Sequence, residues 1–119
     1  MLISVVDDDK SVRESLPDLL KEFGFAAQVF SSAEEFLASD SVTKTNCLIL
    51  DISMPGMGGP QLHRELQRRG LKIPVIFITG HREEAVRSRM LEDGAVECLF
   101  KPVNETALLK ALNKAVSDT

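Results

Sequence analysis

Asp7, Asp8 and Asp9 follow a short apolar run at residues 3–6, Asp51 closes a second run at 47–50, Thr79 a third at 74–78, and Lys101 a fourth at 96–100. If these runs are parallel strands, the side chains meet, because ligands of open α/β sheets collect outside the carboxyl ends of the strands. Crowded carboxylates repel and raise one another's pKa, so Asp7, Asp8 and Asp51 imply a divalent cation between them. Mg²⁺ suits the set: it prefers oxygen ligands, keeps several waters and commonly bridges carboxylates to a phosphoryl group, while no His/Cys set is present for zinc. Lys101 can act as a point charge on a phosphoryl oxygen, and Thr79 can donate its hydroxyl to another. A single aspartate at a strand end is more often a helix cap, and for Asp9 the cap is the favoured reading. The other three, with Thr79 and Lys101, make too specific a set for capping alone.

The elements that must position these groups follow from periodicity. A short apolar run followed by an amphipathic segment repeats five times with no linker between, which predicts βαβ units and a parallel sheet covered on both faces. A first helix should start after Asp9, turn Val12, Leu16, Leu19, Leu20 and Phe23 inward, and stop at Gly24, with Pro17 set to kink or shorten it. A brief strand at residues 26–30 should lead through the capping-box pattern Ser32-Ala33-Glu34-Glu35 into a short helix, followed by a polar loop at about 40–46. Residues 54–60 form a Pro/Gly-rich loop over the site, then a helix through Leu62 and Leu66 that ends at Gly70. Helices at 83–92 and 105–116 complete an expected five strands and five helices. His63 is expected at a helix surface or boundary, His81 in solvent at the mouth of the site, and Met54 and Met57 in loop packing.

Composition sets the limits. With 119 residues, 44% of them hydrophobic, and neither Trp nor Tyr, the chain is the size of one domain, expected to span 1–119. A net charge of −4 and a pI near 5.2 argue against direct nucleic-acid contact by this domain. Cys47 and Cys98 lie inside apolar runs without metal-ligand spacing, so they read as buried free thiols in a reducing compartment. No apolar stretch approaches membrane-spanning length and nothing resembles a signal peptide, so a cytoplasmic location with no membrane contact is expected.

Val5-Val6-Asp7-Asp8-Asp9, Asp51-Ile52-Ser53-Met54-Pro55-Gly56-Met57, Ile78-Thr79-Gly80-His81 and Phe100-Lys101-Pro102 resemble, in order and spacing, the receiver domain of two-component response regulators. Ile78-Thr79-Gly80-His81 and Gly94-Ala95-Val96 are similar to the FixJ/NarL-type group, which includes nitrogen-fixation transcription regulators. The resemblance implies a flavodoxin-like doubly wound (βα)5 fold. It implies Asp51 as phospho-acceptor from a histidine kinase, and Mg²⁺ held by Asp7, Asp8, Asp51 and the Ser53 carbonyl. Thr79 and Lys101 would read the phosphoryl group, and a phosphorylation-dependent homodimer would form through residues near 85–98. Such a domain is not an enzyme but a switch, controlling transcription through a DNA-binding domain beyond this chain, from which the chain is expected to be cut. A stand-alone receiver acting on a protein partner is the alternative. One departure stands out: receivers usually carry Tyr or Phe three residues before the site lysine, and here Cys98 is there. That puts the usual coupling of threonine to aromatic ring in doubt.

Two other classes fit less well. A flavodoxin-like electron carrier would bind FMN through a Ser/Thr/Gly-rich loop after the first strand, where this chain has Asp7-Asp8-Asp9-Lys10. An aspartyl-nucleophile phosphatase would more often carry a second acid two residues past the nucleophile, where this chain has Ser53.

Overall fold

Five runs rich in Val, Ile and Leu become strands in a computed structural model that describes residues 1–81 and 83–117. They are β1 (Leu2–Val6), β2 (Ala26–Phe30), β3 (Cys47–Asp51), β4 (Val75–Thr79) and β5 (Glu97–Phe100). All pair in parallel, in the order β2-β1-β3-β4-β5. The intervening segments form α1 (Lys10–Glu22), α2 (Ala33–Leu37), α3 (Gly59–Arg68), α4 (Glu84–Glu92) and α5 (Glu105–Ser117). This is the doubly wound arrangement expected.

Every residue of β3 and β4 is buried, which is why both read as unbroken apolar runs rather than alternating ones. Period-two alternation divides their side chains between two cores. Leu48, Leu50 and Phe77 join Val6, Phe36, Leu62 and Leu66 under α2 and α3. Ile49, Ile76 and Ile78 join Ile3, Val5, Leu16, Leu20, Leu108 and Leu112 under α1 and α5. Parallel strands place all their carboxyl ends on one side. From β1 the chain goes outward to β2 and then crosses back to β3, so the topological switch lies between β1 and β3. Asp7 and Asp51 flank that point.

Local signals behave as their chemistry requires. Asp9 caps α1, accepting from the Ser11 backbone N–H at 2.9 Å and from the Ser11 hydroxyl at 2.8 Å. The helix stops at Gly24, whose φ of 91° the preceding L-residues rarely adopt. Ser32 caps α2 by accepting from the Glu35 N–H at 3.1 Å.

Pro17 does not shorten α1, which runs as one helix through it to Glu22. Two expectations need correction. Within the expected polar loop, Asp40–Thr43 forms a 3-10 turn, capped by Ser39 and seated by buried Val42. His63 is not a surface residue: it is 6% exposed and its ring meets Phe77 edge-on, with centroids 5.6 Å apart. Leu62 and Leu66 of α3 share a core with Phe77 of β4, and the imidazole meets that same ring.

Candidate functional site

β1 delivers Asp7 to the carboxyl edge of the sheet, with Asp8 one step further into solvent, and β3 delivers Asp51 beside them. Ligand oxygens of Asp7, Asp8 and Asp51 all lie within 4.8 Å of one another. Asp7 is completely buried and Asp51 is 5% exposed, whereas Asp8 faces solvent. From the end of β5, Lys101 reaches back over the cluster, its Nζ 2.9 Å from Asp7 Oδ2 and 3.6 Å from Asp51 Oδ1. The Lys101 backbone is tied to the next strand, its N–H donating to the Thr79 carbonyl at 2.7 Å.

The electrostatics show a site short of positive charge. Burial is the first cause, and the Asp7 charge the second, that push the Asp51 carboxyl up to about 7 against the pull of Lys101. Burial works to lower the Lys101 pKa, but its hydrogen bond to Asp7 and the charges of Asp51 and Asp7 outweigh that and hold it above its ordinary value. One ammonium does not neutralise three carboxylates. Apart from the Lys101 ion pair, the fully buried Asp7 Oδ2 has no hydrogen-bond donor. An oxygen-rich, under-neutralised cluster, whose buried Asp7 Oδ2 is met only by the Lys101 ammonium among the described residues, fits a hard divalent cation such as Mg²⁺. The residues that could hold it are Asp7, Asp8 and Asp51.

Thr79 ends β4 at 1% exposure, and its Oγ1 accepts from the His81 N–H at 3.0 Å. The hydroxyl therefore keeps its own hydrogen for another acceptor. Ser53 is exposed in the loop after β3, and among the described residues no hydrogen bond joins it to the carboxylates. That loop is pulled tightly under the site. Gly59 opens α3 so close to β3 that a Cβ there would run into the Asp51 carbonyl. His81 is exposed near the mouth, as expected. Met54 and Met57 pack on the core beneath.

Two residues were not singled out by the sequence. Arg13, one turn past the Asp9 cap, donates from Nη1 to the Asp7 carbonyl at 2.9 Å and pins the backbone that carries the aspartates. Glu34, in the first turn of α2, accepts from the Met57 N–H of the β3–α3 loop at 3.3 Å, a contact across a sequence separation of 23 that no local pattern reveals.

Both thiols are buried, Cys47 completely and Cys98 at 1% exposure, and burial pushes Cys47 up to about 12 and Cys98 up to about 11. Cys98 pairs with Phe77 in the β4–β5 ladder, while Phe100 is the residue opposite Thr79. Among the described residues, no helix is long and apolar enough to cross a membrane.

The model of the response regulator receiver domain matches residues 3–113. Nodulation protein W of Bradyrhizobium diazoefficiens is 40% identical over 111 residues, covering 93% of this chain and 49% of that protein. The transcriptional regulatory protein FixJ of Rhizobium meliloti is 36% identical over 113 residues, covering 95% of this chain and 55% of the other. The chain thus spans about half the length of these curated relatives. The crystal structure of FixJ-N superposes with a TM-score of 0.87 at 34% identity, covering 99% of this chain and 94% of that one. In sequence and in fold, the chain belongs to the response regulator receiver domain family.

Proposed function

We propose that Asp51 accepts a phosphoryl group from a phosphohistidine on a partner histidine kinase. The observation that carries this reading is one nearly buried carboxylate, 5% exposed, with an ammonium 3.6 Å from its Oδ1 and two further carboxylates against it. Asp51 attacks in line. The phosphorus–oxygen bond to its carboxylate forms as the phosphorus–nitrogen bond breaks, and the bonding pair returns to the imidazole of the donor. No separate base is needed, because the nucleophile is already an anion once its proton is displaced. Asp7, Asp8, Asp51 and the Ser53 carbonyl would hold Mg²⁺, which would supply charge neutralisation when bound. Lys101 offers a point charge to one phosphoryl oxygen, and Thr79 offers its free hydroxyl hydrogen to another.

The new dianion then biases two conformations of the α4–β5–α5 face through its contacts to Thr79 and Lys101. A shift from nearly all inactive to nearly all active takes about 5.5 kcal/mol of differential interaction. The output is transcription control in the cytoplasm, through a symmetric dimer that pairs the output segments. Acetyl phosphate labelling with Mg²⁺ tests the acceptor: Asp51→Asn should take no label while keeping its fold, and equal labelling of variant and parent would exclude Asp51.

A further inference from the structure

The loop from β3 to α3 carries Ser53, whose carbonyl the proposed site enlists, and its two ends are well tied. Ile52 N–H donates to the Ile78 carbonyl at 3.1 Å, Gly59 N–H to the Ile52 carbonyl at 3.0 Å, and Gly58 N–H to Gln61 Oε1 at 2.7 Å. Between those ends, residues 53–57 make a single hydrogen bond among the described residues, from the Met57 N–H to Glu34 Oε2 at 3.3 Å. Met54 and Met57 pack on the core below, which sets the depth of the loop. Apolar packing is non-directional, so it leaves the orientation of the carbonyls open. The Glu34 carboxylate also lies directly against the apex: Gly56 has a φ of 73°, and a Cβ there would come within 2.8 Å of Glu34 Oε2. Glycine at 56 meets both demands, the backbone angle and the room for the carboxylate.

We propose that Glu34 is a positioning residue for the phosphoryl-transfer site: from α2 it tethers the β3–α3 loop and so orients the Ser53 carbonyl toward the Asp7–Asp8–Asp51 cluster. The inference rests on the reading of that cluster as a Mg²⁺-dependent acceptor. Glu34 touches neither the carboxylates nor Lys101, and acts only through the loop. A carboxylate can hold an N–H as a directional acceptor or act at a distance as a charge. Glutamine separates the two, since its amide oxygen still accepts and its charge is gone.

The test uses the full chain as parent, Glu34→Ala and Glu34→Gln, with two readouts that need no phosphodonor. These are hydrogen exchange of the Met57 amide without metal, and Mg²⁺ affinity by titration calorimetry. Glu34→Ala should speed Met57 exchange and weaken Mg²⁺ binding about three- to tenfold, the scale of one lost hydrogen bond. Glu34→Gln should stay close to the parent in both. Gly56→Ala should weaken binding by itself and, combined with Glu34→Ala, cost less than the sum, because the crowded carboxylate is then gone. Unchanged Met57 exchange and Mg²⁺ affinity in Glu34→Ala overturn the tether, and so does a Glu34→Gln variant as weak as Glu34→Ala, which would make the effect one of charge. A parent that binds no Mg²⁺ overturns the reading of the site itself, a result distinct from a parent that binds and an alanine variant that binds equally well.

Discussion

Burial and the neighbouring Asp7 charge give Asp51 surroundings that favour its proton. Its pKa of about 7, against 3.8 for an ordinary aspartate, means that between those values the folded protein keeps a proton that the unfolded chain has released. Stability from this group is therefore fully present below about 4 and is lost as pH rises through about 7. Asp51→Asn removes the term, so the metal-free variant should be more stable than the parent at pH 8, by on the order of 2 kcal/mol, with the gap closing toward pH 4. Urea unfolding over that range in the presence of a chelator reads the difference, and parallel curves for the two proteins would contradict it. The neighbouring aspartates should separate by role. Asp8→Ala should weaken Mg²⁺ binding and slow phosphorylation, whereas Asp9→Ala should cost about 1 kcal/mol of helix capping and little Mg²⁺ affinity. Calorimetric titration decides, and the larger loss of affinity in Asp9→Ala would reverse the assignment. At this scale much was legible before any coordinates: the aspartates, Thr79 and Lys101 end apolar runs, and strand ends are where a parallel sheet gathers chemistry. Arg13 and Glu34 were not, because what they do is hold backbone. A hydrogen bond from a side chain to a distant carbonyl or N–H leaves no mark on residue type.

Elements were legible where a single periodicity governed them. The run from Asp9 to Gly24 has a cap, an apolar stripe and a stop, and α1 follows all three despite Pro17. The 3-10 turn at Asp40–Thr43 has no such stripe; it is held by the Ser39 cap and by Thr45, whose Oγ1 donates to the Ser41 carbonyl at 2.6 Å and meets Ser4 Oγ at 2.6 Å. His63 was misplaced for a related reason: helical period locates the buried stripe of α3 but not its width, and Phe77 on β4 extends that stripe by one position. Its burial has a consequence. Desolvation, aided by Arg64 and opposed by Asp93, lowers the His63 pKa, so the unfolded chain binds a proton before the folded one does. Stability is therefore whole above about pH 6.5 and is lost as pH falls through the depressed folded value. His63→Gln should flatten the stability profile below about pH 6.5, which thermal melts at half-unit steps would show. A variant with the slope of the parent would assign that slope to other groups.

At the scale of the molecule, strand order decides what the residues can do. Crossing from β2 back to β3 opens a crevice at the β1–β3 switch point, and the fold needs no loop of its own invention to build the acidic site. The parallel sheet with helices on both faces was legible because the alternation of short apolar runs and amphipathic segments is a property of the entire chain, whereas the flavodoxin-like winding came with the receiver resemblance. How the site speaks to the rest is less visible in the sequence. With buried Cys98 at the position of the usual aromatic, coupling should depend on Thr79 and the loop after it. With Mg²⁺ and beryllofluoride, a phosphoryl mimic, the chain should form a symmetric dimer in analytical ultracentrifugation at micromolar concentration, and Thr79→Ala should take the phosphoryl group yet dimerise poorly. A chain that stays monomeric with the mimic would favour a receiver that acts on a different partner. The central claim remains the bond formed at Asp51. Treatment with acetyl phosphate and Mg²⁺, reduction of the acyl phosphate with borohydride and mass spectrometry of the peptides read that bond directly. The account predicts homoserine at position 51, formed only with Mg²⁺ present; homoserine at position 7, 8 or 9, or no reduction product at all, would contradict it.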